Sequence, residues 1–193
     1  SYHAEAREKG WEPLTAAPKM YFTGGANVLR RTNRGGKMLS DFWPSLDLAV
    51  CTDVKWCFTA MHSDYVLPAA GWYEKIGIKY IAAFVPYVTL GDRASAPLGE
   101  AKPEWELFAN LATHVAQAAQ RRGVASVRGF NGEDCALDAL DARFTDEGRF
   151  GPDAQEAVTE FILSVSGATK GITLADLRRD GGAKRIAALG PSG

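Results

Sequence analysis

Two short apolar stretches, each running straight into a polar turn, constrain this chain most. Lys19-Met20-Tyr21-Phe22-Thr23 leads into Gly24-Gly25-Ala26-Asn27, and Leu46-Asp47-Leu48-Ala49-Val50-Cys51-Thr52 leads into Asp53. The intervening residues begin as a polar loop rich in Gly, Asn and Arg. They continue with Met38, Leu39 and Phe42 at the spacing of a short amphipathic helix, which Pro44 should end. Strand, loop, helix, strand implies a parallel pair with a crossover connection. In such a sheet, ligands bind beyond the carboxyl ends of the strands. Those ends here carry paired glycines, which let backbone come close to a ligand, and a carboxylate, which sets a fixed charge beside them.

The remaining chain extends this pattern. Residues 54–62 read as a short helical turn containing Trp56 and Thr59, and Tyr65-Val66-Leu67 as a third strand stopped by Pro68. Residues 79–90 are aromatic and β-branched and so extended, although Pro86 confines them to an edge or a covering arm. The clearest helix starts after Pro103 and repeats Trp105, Phe108, Leu111, Ala112, Val115 and Ala119 on one face; Arg121-Arg122-Gly123 ends it. Further helices are expected over 134–144 and 152–165, the latter burying Ala154, Ala157, Val158, Phe161, Ile162 and Val165. A capped helix should start at Thr173, with Asp176 three residues on. The expected organisation is a connector over 1–18, an α/β domain over 19–123 whose strand-end crevice would hold part of a large phosphate-containing cofactor, and a mainly helical extension over 124–193. The fold class is therefore α/β: a Rossmann-like, mostly parallel sheet flanked by helices, with a helical C-terminal extension.

Composition narrows the partners. With 46% hydrophobic and 23% charged residues a core is available. A net charge of −1 gives no electrostatic reason to expect nucleic acid or an anionic membrane. No apolar run is long enough to span a bilayer, and residues 1–9 lack a signal-peptide pattern. The first residue is not methionine, as expected of a processed product or an excised piece. Cys51, Cys57 and Cys135 form no CxxC pair, and Cys57 with His62 is too few ligands for a metal, so none is expected. Cys51 reads as a small buried strand residue.

The chemistry-bearing candidates each have a plainer reading. Gly24-Gly25-Ala26-Asn27 is not GxGxxG, and a tight turn explains it as well as a phosphate cradle does. Asn27 offers amide donors and an acceptor, and Arg30 can pair phosphate oxygens; Arg31 and Arg34 suit a solvated loop better. Asp53 can accept two parallel N–H donors, as the Watson–Crick edge of guanine presents them; a ribose diol is the other match, and an N-cap the structural alternative. Thr59 can donate to a ligand or bond back to the preceding turn. Asp64 should brace a turn. Glu74 and Lys75 suit a surface pair. Trp72, Tyr73 and Tyr80 suit core or interface better than a stacking platform. His3, His62 and His114 show no triad-like partner, and no catalytic acid or base is assigned.

In series, Asp53 to Pro68 resembles a segment of the catalytic subunits of molybdopterin oxidoreductases of the dimethyl sulfoxide reductase family. There Asp is followed by Thr-Ala, then Ala or Ser, Asp, an apolar pair and Leu-Pro. The Gly-Gly-Ala-Asn27 turn sits where that family has Gly-x-Asn. Trp72-Tyr73-Glu74-Lys75 and Pro103-Glu104-Trp105-Glu106-Leu107-Phe108 resemble the branch with respiratory nitrate reductases and the selenate, chlorate, dimethyl sulfide and ethylbenzene enzymes. The run from Gly77 to Asp92 looks closer to the hydrocarbon dehydrogenases. The resemblance implies that this chain holds one molybdopterin guanine dinucleotide of a bis-MGD molybdenum cofactor, with Gly24, Gly25, Asn27, Arg30, Thr52, Asp53 and Thr59 as the cofactor-binding set. The family often has Gln where Thr52 stands, and Trp56-Cys57-Phe58 departs from its usual residues. The resemblance also implies an iron–sulfur cluster, a molybdenum ligand and the closing domain elsewhere in a larger subunit. Its implied partners are those domains and an iron–sulfur electron-transfer subunit. On that reading the fragment is not catalytic alone. The alternatives are a stand-alone nucleotide-binding module and an interaction fragment docking through residues 72–87.

Overall fold

The computed structural model describes residues 8–9, 17–80, 86–129 and 132–186. By compactness the chain divides between Ala69 and Ala70. The expected connector over 1–18 lies largely outside the described residues.

The first unit is built on a parallel sheet of three strands in the order β1-β2-β3: β1 (Met20–Gly24), β2 (Leu48–Asp53) and β3 (Tyr65–Pro68). Met20 pairs with Leu48 and Gly24 with Thr52, while Cys51 pairs with Val66 and Asp53 with Pro68. The expected parallel pairing holds, and β1 and β2 end level with each other. β2 is central, and four of its six residues are buried. That suits a near-continuous apolar run better than an alternating one.

The β1–β2 connection holds α1 (Val28–Arg31) and α2 (Gly35–Lys37), which passes into a π-turn over Met38–Phe42 and a 3-10 turn over Trp43–Ser45. The expected simple amphipathic helix is thus broken into three geometries. Pro44 sits inside the last turn rather than after it. Tyr21 of β1 packs against Phe42 and Trp43, with ring centroids 5.9 and 5.4 Å away. The Trp43 indole N–H donates to the His62 carbonyl at 2.6 Å. Gly35 is required where it stands, because a Cβ there would collide with the Leu29 carbonyl oxygen. A short helix α3 (Phe58–Met61) joins β2 to β3. Asp64 braces the entry to β3: its carboxylate accepts from Ala49 N–H at 2.7 Å, and its own N–H donates to the Ala49 carbonyl at 2.9 Å.

The second unit carries an antiparallel sheet of β4 (Gly77–Tyr80), β5 (Tyr87–Gly91) and, from the far end of the chain, β8 (Ala183–Arg185). Residues 81–85, in the middle of the stretch expected to be extended, lie outside the described residues. The long helix is α4 (Glu104–Arg122), closed by Gly123 as expected. Its most buried residues are Leu107, Ala109, Ala112, Ala116 and Ala119, so small residues replace part of the expected aromatic stripe. Trp105 half-covers itself by stacking on Phe144 at 5.0 Å and donating to the Gly151 carbonyl at 2.8 Å.

The helix expected over 134–144 is only partly formed. β6 (Ser126–Arg128) and β7 (Asp134–Ala136) make a hairpin, and α5 (Leu140–Phe144) is the helical remainder. Strand pairing competes here with a segment too short to propagate a helix. α6 (Gln155–Val165) presents Thr159 and Leu163 to the interior, whereas Ile162 and Val165 are exposed, against expectation. α7 (Leu174–Arg179) starts with the expected capping box between Thr173 and Asp176. The core joins Ile76, Val88, Leu163, Leu174, Leu177 and Ile186. The expected Glu74–Lys75 pair does not form: Glu74 accepts from Gly71 N–H, and Lys75 pairs with Glu104.

Arg178 clamps this unit by donating from Nε and Nη2 to both carboxylate oxygens of Asp92, at 2.8 and 3.0 Å, and also reaching Glu156. The Arg178 hydrogen bonds hold the Asp92 carboxyl below the usual range. Those from Thr173, then Arg179, hold Asp176 down at about 2. A carboxyl depressed on folding adds stability above its unfolded pKa and loses it as pH falls through the folded value. The unfolding midpoint in urea is therefore expected to drop from about pH 6 to about pH 3. The Asp92→Asn, Asp176→Asn double variant should show a smaller drop; an equal drop would contradict the assignment.

Candidate functional site

The cofactor-binding candidates all lie in the first unit, at the carboxyl ends of β1 and β2. Gly24 sits beside Thr52 in the sheet, and a Cβ on Gly24 would stand 3.3 Å from the Thr52 methyl carbon. Gly25 turns out of the strand with φ of 61°, a conformation that favours glycine. Its N–H donates to the Thr52 carbonyl at 2.9 Å. Both glycines are exposed, so the backbone beside the strand ends is bare to solvent.

Asn27 and Thr59 form the brace beneath this turn. Asn27 Oδ1 accepts from Thr59 N–H at 3.2 Å and from the Thr59 hydroxyl at 3.1 Å. The same hydroxyl accepts from Leu29 N–H at 3.1 Å. Thr59 is 0% exposed and Leu29 is 4% exposed. Neither role expected for Thr59 describes these contacts. It does not bond back to its own preceding turn, and its hydroxyl is engaged inside the protein, tying the loop after β1 to the helix after β2. Asn27 is partly exposed with its carbonyl oxygen committed. Arg30 lies on α1 and is exposed.

Asp53 ends β2 and is partly exposed, with Oδ1 accepting from Val54 N–H at 2.7 Å. It is not an N-cap: the cap position of α3 belongs to Cys57, four residues further on. Strand alternation puts Asp53 on the same sheet face as Cys51 and on the opposite face from Thr52. Thr52 is 3% exposed, and its hydroxyl has no hydrogen-bond partner among the described residues. Its backbone carbonyl holds Gly25, and its side-chain methyl stands beside Gly24. Cys51 is fully buried as expected; burial pushes its thiol up to about 12, with Cys57 and then Asp53 adding to the effect.

A model of one protein family matches residues 9–114, described as molybdopterin oxidoreductase. The chain belongs to the molybdopterin oxidoreductase family. It is 32% identical over 165 residues to perchlorate reductase subunit alpha of Dechloromonas aromatica, covering 83% of this chain and 17% of that protein. It is 32% identical over 135 residues to respiratory nitrate reductase subunit alpha of Haloferax mediterranei, covering 62% and 13%. It is 27% identical over 198 residues to chlorate reductase subunit alpha of Ideonella dechloratans, covering 100% and 21%. The chain thus spans between 13% and 21% of the length of these relatives. The structure superposes on acetylene hydratase from Pelobacter acetylenicus with a TM-score of 0.56 and 22% identity, over 98% of this chain and 21% of that one. At that identity the likeness concerns the fold.

A molybdopterin cofactor goes with this family. At the strand ends the glycine turn leaves bare backbone, Asp53 keeps an oxygen beyond the one that Val54 N–H occupies, and Arg30 is an exposed cation. Sequence reasoning missed the Asn27–Thr59–Leu29 brace. The Gly-x-Asn spacing and the Thr of Thr-Ala were both visible, but their hydrogen bond joins residues 32 apart.

A second feature lies in the second unit. A cleft of about 480 Å³ is lined by Trp72, Tyr73, Lys75, Lys79, Thr89 and Asp92 among others. Trp72 and Tyr73 are 66% and 75% exposed, which removes them from the core. The Lys75 and Lys79 ammoniums lie 5.0 and 4.0 Å from the Trp72 ring centroid. The Tyr80 side chain lies outside the described residues.

The two threonines of the site should respond oppositely to valine. Thr59→Val strands Leu29 N–H and removes one of the two donors to Asn27 Oδ1, and should lower stability by about 1–3 kcal/mol in urea unfolding, with Thr59→Ser recovering most of it. Thr52→Val removes a hydroxyl without a partner and should be neutral or slightly stabilising. Equal losses in the two variants would contradict this account of the brace.

Proposed function

We propose that this chain is part of the catalytic subunit of a molybdenum-dependent oxidoreductase, and that its strand-end slot holds the guanine nucleotide arm of one molybdopterin guanine dinucleotide. The observation that carries the reading is the adjacency of Gly25 and Asp53. The Gly25–Thr52 hydrogen bond fixes a side-chain-free turn one residue from a partly exposed carboxylate. Backbone at Gly24 and Gly25 allows the diphosphate to approach without a Cβ in the way. Arg30 supplies a planar cation that matches phosphate oxygens. The Asp53 carboxylate accepts from the N1–H and amino group of guanine, donors that adenine does not present in that pair.

The other candidates act indirectly in this reading. Asn27 and Thr59 hold the loop and helix that frame the slot, and Thr52 positions Gly25 through its carbonyl. When bound, the cofactor supplies the electron chemistry, and this chain supplies position and electrostatics. The iron–sulfur cluster, the molybdenum ligand and the domain closing over the cofactor belong to other parts of the subunit. An iron–sulfur electron-transfer subunit is the proposed protein partner. Among the described residues no helix is long and apolar enough to cross a membrane.

The test uses the full-length subunit. Asp53→Asn turns an acceptor into an amide that presents N–H toward guanine N–H groups. Cofactor retention should weaken by about 1–3 kcal/mol, the range for a lost charged hydrogen bond. Guanine nucleotide and molybdenum per purified subunit should fall together, and Arg30→Ala should lower both to a lesser degree. Unchanged contents in Asp53→Asn would overturn the assignment.

A further inference from the structure

Cys51, Asp53 and Cys57 offer one ligand atom each, two thiol sulfurs and a carboxylate oxygen, all within 4.8 Å of one another. The arrangement follows from the local fold. Residues 51 and 53 share a face of β2 by strand alternation. The chain then leaves the strand through residues 54–56 and returns to set Cys57 at the cap of α3. Cys51 and Cys57 are 0% and 6% exposed, while Asp53 is partly open. The sequence argued against a metal because Cys57 and His62 were too few ligands; folding replaces His62 with Cys51 and Asp53.

We propose that these three residues form a site for a thiophilic divalent cation of the zinc class. Zinc lies about 2.3 Å from thiolate sulfur and about 2.0–2.2 Å from carboxylate oxygen, so donors around a tetrahedral ion stand roughly 3.5–3.8 Å apart. The three atoms need to close by up to about 1.3 Å to reach that spacing. The segment that must give is exposed, with Val54 at 58% and Trp56 at 70%, so closure does not require the strand to move. Two sulfurs select a soft ion over magnesium, calcium or manganese. The Val54 N–H on Asp53 Oδ1 orients the carboxylate, as outer hydrogen bonds do for metal-ligating carboxylates. As the ion enters, each thiol releases its proton to water, leaving two thiolates and a carboxylate around a doubly charged cation. The fourth position opens on the side where Asp53 meets solvent and takes water. Asp53 is also the residue assigned to guanine above, so the ion belongs to the chain without its nucleotide.

The test is a cobalt(II) titration of the reduced, cofactor-free 193-residue chain, followed by sulfur-to-metal charge-transfer absorption. One equivalent should saturate the band, zinc should displace cobalt, and magnesium should not. Cys135→Ser should leave the titration unchanged, Cys57→Ser should remove the band, and Asp53→Asn should weaken binding by at least about tenfold, the least that even an outer partner of a ligand costs, while the two thiolates keep the band. A wild-type chain with no band at one equivalent, a band that survives Cys57→Ser, or one lost in Cys135→Ser would overturn the site. X-ray absorption of the zinc-loaded wild-type chain needs no variant: two sulfur neighbours support the site, and a shell of only oxygen and nitrogen refutes it. None of these readouts involves guanine. Bound cobalt together with full cofactor retention in Asp53→Asn would therefore reject the nucleotide reading and leave the cation site standing.

Discussion

The strand-end slot depends on one buried hydroxyl. Thr59 Oγ donates to Asn27 Oδ1 and accepts from Leu29 N–H, while its own N–H also donates to Asn27. These contacts tie the segment leaving β1 to the segment leaving β2. Parallel pairing alone brings the strands level but leaves the chains beyond them free to diverge. The hydroxyl closes that freedom where ordinary packing cannot, because the groups it joins are polar and buried. A buried N–H at Leu29 without a partner would carry a desolvation penalty, so the geometry of the glycine turn is set from beneath.

That brace separates two kinds of residue with the same polar chemistry. Asn27 and Thr59 spend their oxygen atoms inside the protein, and their value to a ligand is the shape they enforce. Asp53 spends one oxygen on Val54 N–H and lies where solvent reaches it. Thr52 belongs to neither group: its carbonyl holds Gly25, while its buried hydroxyl lies on the opposite face of the sheet from Asp53. Gly24 and Gly25 are thus open to solvent and Asp53 partly so, while Asn27 and Thr59 hold the chain around them.

The legible parts of the sequence were those encoded by local order. The strands of the parallel sheet, the long helix after Pro103 and the capping box at Thr173 each announce themselves within a few residues, by an apolar run or a cap. The failures share a cause. The buried face of α6 falls on Thr159 and Leu163 because the neighbours that cover it, among them Val88 and Leu177, lie far away in sequence. The segment 134–136 became a strand because 126–128 was there to pair with it. Lys75 found Glu104 rather than its neighbour Glu74. Helical periodicity describes what one segment offers, and it is silent about which partner arrives.

Asp53 is the residue on which the two proposed ligands meet. Its surroundings are of two kinds: two buried sulfurs stand within 4.8 Å of its carboxylate, and solvent reaches it at the end of β2. A carboxylate near soft donors and open to solvent is suited to a cation in one state and to paired N–H donors in the other. One carboxylate cannot serve both fully, because each ligand draws on the same negative charge. Binding of the nucleotide arm would then displace the ion by mass action, and a soft cation held at Asp53 would oppose loading of the cofactor to the same extent, since coupling between two ligands is reciprocal.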